Sequence, residues 1–290
     1  MYVGRFAPSP TGPLHFGSLV AATGSYLRAR SMGGCWLVRM EDIDPPREVP
    51  GAADAILRAL EAFGLGWDGA VLYQSSRIEA YREALDTLLA DGHAFACTCS
   101  RKDIARAGPP GVYPGTCRGK HGLPHGPHAI RVAVGQASIG FDDLLQGPVK
   151  QDLAREVGDF VVRRADGLFA YQLAVVVDDA FQGVTEVVRG ADLLDSTPRQ
   201  IHLQHLLGLP TPGYLHLPVA VDGLGQKLSK QSHAAPLDPT RPLTAIVQAL
   251  RFLGLAPGRE LLEGDVTDAW AWAVSQFDLA RLPPRPALPV

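Results

Sequence analysis

The 290-residue chain is 46% hydrophobic and 20% charged, enough to build cores of its own, and its 31 glycines and 24 prolines stay below the level of collagen-like or low-complexity sequence. Lys+Arg 27 against Asp+Glu 30 gives a net charge of -3, which excludes a global basic field for nucleic acid and leaves only local patches. No apolar run approaches a membrane span, and the N-terminus carries no basic segment followed by an apolar stretch, so a soluble, unexported, cytoplasmic protein is expected.

Residues 2–6 have strand character and run into Ala7-Pro8-Ser9-Pro10-Thr11-Gly12-Pro13, where prolines and glycine forbid both helix and central strand and force a loop. His15-Phe16-Gly17-Ser18 follows, then a helical pattern over 19–30 that stops at Gly33-Gly34. A short apolar strand over 35–40 ends at Glu41-Asp42-Ile43-Asp44, which sets carboxylates at the end of a strand. Helical patterns over 52–63 and 77–91 continue an alternating β/α series and predict a parallel sheet. Such sheets bind ligands at the C-terminal ends of their strands, where the Ser9 loop and Glu41 fall.

From 95 to 149 the pattern degrades into Gly, Pro and His-rich loops, which suggests an insertion with a small core of its own. Regular patterns return at 160–163, 169–177 and 184–189, followed by a helix from about 198 to 207. After Lys227-Leu228-Ser229-Lys230, helical patterns over 243–253 and 266–277 precede a proline-rich tail. The expected division is a first half of the sheet domain over 1–94, an insertion over 95–159, a second half over 160–232 and a short helical segment over 233–290.

Three groups of residues carry chemistry. At His15-Phe16-Gly17-Ser18 a helix start turns backbone N–H groups toward an anion, and glycine admits a nucleotide close to the backbone. Lys227 and Lys230, two of only five lysines, sit on a glycine-flanked segment, and two ammonium groups facing a helix N-terminus can neutralise a pentacovalent phosphate. Cys97, Cys99 and Cys117 cluster while Cys35 stands apart, and in an unexported chain this predicts a metal site before a disulfide. A tetrahedral structural zinc wants a fourth ligand, for which ligand chemistry alone favours His121.

The run Arg5-Phe6-Ala7-Pro8-Ser9-Pro10-Thr11-Gly12-Pro13-Leu14-His15-Phe16-Gly17-Ser18 resembles the HIGH-motif region of class I glutamyl/glutaminyl-tRNA synthetases, and Lys227-Leu228-Ser229-Lys230-Gln231 is similar to their KMSKS loop. Arg39-Met40-Glu41-Asp42-Ile43-Asp44 and the stretch 171–179, ending in Asp178-Asp179, match the family in order and spacing over about residues 1–255. The resemblance implies an α/β Rossmann-type catalytic domain with a zinc-binding connective insertion. It also implies adenylation of an amino acid by ATP followed by transfer to tRNA.

Glutamate presents two carboxylates and one ammonium, so its pocket needs about two cations and one anion. By the resemblance, Arg5, the Ala7 backbone, the Ser9 hydroxyl, Glu41, Tyr171 and Arg189 line that pocket, with Glu41 on the ammonium and Arg5 with Tyr171 on the side-chain carboxylate. His15, Gly17 and Ser18 would hold ATP phosphates, Lys230 helped by Lys227 would meet the transition-state charge, and Mg²⁺ would enter with ATP. The family's zinc pattern fits Cys97, Cys99, Tyr113 and Cys117, one structural Zn²⁺ per chain, with His121 as the alternative to Tyr113.

Departures from the family narrow the expectation. Residues 233–290 are too few for the anticodon-binding region of the full-length enzymes, Val175 stands where glutamyl enzymes carry Asn, and Gln231 stands where they carry Arg. These features are similar to the truncated paralogues that activate L-glutamate without tRNA and attach it to the queuosine base of tRNA(Asp). Local arginines, Arg101, Arg106 and Arg118, are the expected RNA contacts, and no obligate protein partner is implied. The alternatives are a truncated enzyme charging the 3′ end of tRNA(Glu) and a non-catalytic tRNA-binding paralogue.

Overall fold

The computed structural model describes residues 1–120, 122, 124–228 and 235–290. In chain order the elements are β1 (Val3–Phe6), α1 (Phe16–Ser31), β2 (Cys35–Met40), α2 (Ala52–Ala62), β3 (Leu72–Tyr73), α3 (Ile78–Ala90), β4 (Ala94–Cys97), α4 (Arg101–Ala107), β5 (Ala129–Val132), β6 (Ser138–Asp143) and β7 (Gly147–Asp152). There follow α5 (Leu153–Glu156), β8 (Phe160–Arg163), α6 (Tyr171–Phe181), β9 (Glu186–Gly190), α7 (Thr197–Leu206), β10 (Gly213–Leu217), β11 (Val219–Val221), α8 (Pro242–Phe252), α9 (Val266–Gln276) and β12 (Ala287–Pro289).

Strands β1, β2 and β3 form one parallel ladder, and β9, β10 and β6 form another, with β7 antiparallel at its edge. The Thr185 N–H donates to the Val3 carbonyl over 2.9 Å, which sets β9 beside β1 and brings the two ladders into one layer. Because β1, β2, β9 and β10 all run parallel, their C-terminal ends share one edge, and the loop 7–13, Glu41, Asp192 and Pro218 follow directly from them.

Helix α1 is buried on nearly every side, with Leu19, Ala22, Leu27 and Ala29 shielded from solvent among β1, β9, α8 and α9. Gly24 makes this packing possible, since a Cβ there would fall 2.3 Å from Leu217 Cδ1. Trp36 on β2 is fully buried, stacks on Phe6 and donates from Nε1 to Ser25 Oγ at 2.9 Å, so its polar edge is satisfied inside the core. A second core gathers α3, α6 and α7 with the antiparallel sheet β4-β5-β8.

Two parts of the chain differ in kind from their sequence pattern. Val175-Val176-Val177, an apolar run of strand-like composition, lies in helix α6, because a helix buried on several faces shows no amphipathic stripe. The proline-rich tail forms β12, which pairs in parallel with β11 from Val219↔Ala287 to Val221↔Pro289. Strand β6 falls within the range 95–159 yet pairs with β10 at Asp143↔Tyr214, so part of that range enters the parallel layer. Among the described residues no helix is long and apolar enough to cross a membrane.

Candidate active site

A cavity of about 660 Å³ opens at the C-terminal edge of the layer, and Ser9, His15, Gly17, Ser18, Asp192 and Lys227 are among its walls. His15 is the N-cap of α1, and its Nδ1 accepts the Ser18 N–H at 3.3 Å. That bond fixes the neutral tautomer with hydrogen on Nε2, a donor suited to an anion. It also engages the Ser18 N–H, which shifts the expected backbone donors of the first turn to Phe16 and Gly17.

Gly17 is where the two signature segments meet: a Cβ there would lie 3.1 Å from the His15 ring and 3.4 Å from the Leu228 carbonyl. On the far side of the lysine segment, Pro236 bridges to His15 and the Leu237 N–H donates to Leu14 O at 3.0 Å. The far flank of the segment is thus tied to the start of α1, and the near flank, held to Ala220 through the Leu228 N–H at 2.8 Å, lies beside Gly17. Lys227 Nζ lies 2.5 Å from Asp192 Oδ2, whereas Ser229, Lys230 and Gln231 lie outside the described residues.

A smaller cavity of about 180 Å³ is lined by Glu41, Gln74 and Tyr171 and shares Ser9, Thr11 and Arg47 with the larger one. Glu41 is the anion expected there. Burial pushes its carboxyl up to about 7 despite the Arg39 and Arg5 guanidiniums, and its Oε1, 3.6 Å from Arg39 Nη2, has no hydrogen-bond partner among the described residues. The orphaned oxygen suits an incoming cation.

Arg5 and Arg189 line neither cavity, being held beside them. Arg5 donates from Nε to Asp179 Oδ1 at 3.0 Å, and Arg39 donates from Nη1 to the same oxygen at 2.7 Å. Burial opposes ionisation of Asp179, but the Arg39 and Arg5 charges outweigh it and hold the carboxyl below the usual carboxylate range. The Tyr171 hydroxyl, expected with Arg5 on the side-chain carboxylate, accepts from Arg189 Nη1 at 3.1 Å, and the Arg5 charge acts on it as well. Arg189 Nη2 reaches Thr197 Oγ1 and Gln200 Oε1, each at 2.8 Å, and its Nε donates to His216 Nε2 at 3.1 Å.

His216 Nδ1 lies 2.6 Å from Asp143 Oδ2, and both side chains are fully buried. Burial, with the Arg189 charge adding, lowers His216 below its ordinary value in spite of Asp143. The imidazole is therefore neutral near pH 7, donating to Asp143 and accepting from Arg189. Asp179, Arg39, Gln74, His216 and Asp143 escaped the sequence reading, although the adjacent Asp178-Asp179 pair ending a motif was a signal for the first of them.

Cys97, Cys99 and Cys117 bring their sulfurs within 4.8 Å of one another, compatible with tetrahedral thiolate ligation. The Tyr113 hydroxyl joins them, 3.3 Å from Cys97 Sγ and 3.9 Å from Cys99 Sγ, and accepts the Cys117 N–H at 2.9 Å. Burial raises the Cys99 thiol to about 11. At Cys117, burial is outweighed by hydrogen bonds from Tyr113 and the Thr98 backbone, which lower it to about 7, so a thiolate is available near neutrality. His121 lies outside the described residues. Arg101, Arg106 and Arg118 are all exposed, and Arg118 also pairs through Nε with the buried Asp159 at 3.0 Å.

The chain matches tRNA synthetases class I (E and Q), catalytic domain, over residues 2–108 and 118–260. It is 59% identical over 290 residues to a glutamyl-Q tRNA(Asp) synthetase of Dechloromonas aromatica (strain RCB), covering 97% of this chain and 96% of that protein. It is 55% identical over 288 residues to one of Pseudomonas aeruginosa (strain PAO1), covering 99% and 97% respectively. Among solved structures, a glutamate tRNA ligase from Elizabethkingia meningosepticum, in complex with its amino acid, superposes with a TM-score of 0.83 at 25% identity, covering 99% of this chain and 66% of that one. With the parallel layer, the two adjoining cavities and the thiol cluster in place, the chain belongs to the class I tRNA synthetases for E and Q, through their catalytic domain.

Proposed function

We propose that the enzyme activates L-glutamate with ATP in the absence of tRNA and transfers the glutamyl group to the queuosine base of tRNA(Asp). The observation that carries this reading is the junction of the two cavities across Ser9 and Thr11. An amino acid anchored at Glu41 would extend its α-carboxylate toward a nucleotide held at the start of α1. That carboxylate attacks the α-phosphorus and pyrophosphate leaves. The nucleophile is already ionised, so no protein base is required, and catalysis rests on positioning and charge.

In this reading Glu41 takes the ammonium, and Arg5, Arg189 and Tyr171, with the Ala7 backbone and the Ser9 hydroxyl, set the field for the carboxylates. His15 Nε2–H and the Gly17 region meet the phosphates. Lys227, now on Asp192, and Lys230 meet the charge that develops on the transferring phosphate, and Mg²⁺ accompanies ATP. Cys97, Cys99, Cys117 and Tyr113 would hold one Zn²⁺ as a staple of the 95–159 insertion, between catalytic halves at 1–94 and 160–232 and ahead of the helical segment 233–290. A tRNA substrate belongs with a cytoplasmic setting.

The test offers labelled glutamate and ATP with tRNA(Asp) carrying queuosine, tRNA(Asp) carrying guanosine there, and tRNA(Glu). Labelling of the queuosine tRNA alone is expected, and periodate cleavage of its cyclopentene diol should abolish it. Efficient labelling of the tRNA(Glu) 3′ end would replace this reading with a truncated glutamyl-tRNA synthetase.

A further inference from the structure

Among the described residues, three buried side-chain oxygens of the 180 Å³ cavity lack a hydrogen-bond partner: Glu41 Oε1, Glu48 Oε1 and Gln74 Oε1. All three are acceptors. A cavity whose unpaired polar atoms only accept is completed by a ligand that brings N–H donors.

Gln74 is fully buried at the turn after β3, and its neighbours permit one amide orientation. Its Nε2 lies 2.9 Å from Asp178 Oδ2, and that carboxylate also accepts from Tyr81 Oη at 2.6 Å and Arg77 Nε at 3.2 Å. Turning the amide over would set its oxygen against a carboxylate, so Asp178 keeps the NH₂ for itself and leaves the carbonyl oxygen as the end without a partner.

We propose that Gln74 Oε1 is a second acceptor for the amino group of the bound amino acid, beside Glu41, and that Asp178 is the positioning residue that fixes the amide. This rests on the reading of the small cavity as the amino-acid site. An ammonium carries three N–H bonds and Glu41 alone can satisfy only part of them. A neutral amide oxygen adds a contact without adding a second negative charge, and so favours an amine over a ligand that lacks one.

The experiment compares glutamate with glutarate, which has the same two carboxylates and no amino group. For wild type and for Gln74→Met, which keeps the length and loses the acceptor, one measures the glutamate KM and the glutarate inhibition constant in pyrophosphate exchange, with the ATP KM as control. Gln74→Met should raise the glutamate KM about tenfold and leave the glutarate constant within about twofold, as expected where one ligand alone makes the bond. Gln74→Leu removes the same oxygen and serves if the methionine variant does not fold by thermal unfolding. Equal weakening of both acids, or of neither, overturns the assignment alone. A wild-type enzyme without glutamate-dependent exchange overturns the site reading and this assignment with it.

Discussion

Arg189 Nε donates to His216 Nε2 over 3.1 Å, and through that ring, bonded to Asp143 at 2.6 Å, a carboxylate on β6 steadies an arginine that also holds the Tyr171 hydroxyl. The arrangement works only while the imidazole is neutral, since a protonated ring would face a guanidinium. His216→Phe keeps the ring volume and strips Arg189 Nε of its acceptor. Losing one buried charge-assisted bond costs on the order of 1–3 kcal/mol. The glutamate KM should therefore rise about tenfold in the exchange assay with the ATP KM little changed.

Burial holds Glu41 at about 7, so near neutrality the empty site is part protonated, and only the ionised form attracts an ammonium. As pH falls below about 7, the glutamate KM should climb toward about tenfold per unit, and it should flatten above. Stability runs the other way. The native state holds the Glu41 proton between the ordinary carboxyl value and about 7 while the unfolded chain has released it, so this group's contribution to stability falls as pH rises through that window. Glu41→Gln should weaken glutamate at every pH and remove the bend in the profile, which steady-state kinetics between pH 6 and 8.5 would reveal.

Freshly purified protein should contain one zinc per chain by elemental analysis. Cys97→Ser, Cys99→Ser and Cys117→Ser should each lose it, and Tyr113→Phe should retain it less tightly under a chelator, given a hydroxyl 3.3 Å from Cys97 Sγ. Should His121→Ala shed the metal while Tyr113→Phe keeps it, the fourth ligand passes to His121. Removing the metal should loosen the insertion and leave ATP binding in place.

Lys230→Ala and Lys227→Ala should each slow exchange, the former by roughly 100-fold or more, as loss of a transition-state charge partner does. Gly17→Ala should also slow it, because its Cβ would press on the His15 ring at 3.1 Å where that ring sits beside the Leu228 carbonyl of the lysine segment. A normal rate in the alanine variant would mean that the Gly17 contact carries no catalytic positioning.

The β/α alternation was legible because β1, α1 and β2 announce themselves through local pattern and through the Pro13 and Gly33 boundaries. The candidate motifs stood out because their residue types are unusual for their surroundings, as Lys227 and Lys230 are in a lysine-poor chain. What stayed hidden depends on partners far along the chain. Arg5 meets Asp179, His216 meets Asp143, and Gln74 meets Asp178, and nothing near Gln74 sets it apart from a surface glutamine. The Val175 run was ambiguous because burial on several faces blurs the period that separates helix from strand. The fourth strand of the second ladder, β7, and the pairing of β6 arise inside a stretch whose glycines and prolines read only as loop.

The terminal strand has a consequence at the larger cavity. Val219 and Ala220, which wall the larger cavity, take their pairing partners from Ala287 and Leu288, and Val290 N–H closes on Val221 O at 3.1 Å. Strand β12 therefore lies alongside the strand that leads into Lys227. The larger cavity thus has one wall whose backbone is held from residues 287–290, so a change in that distant stretch reaches the cavity through strand pairing alone, with no side chain in between.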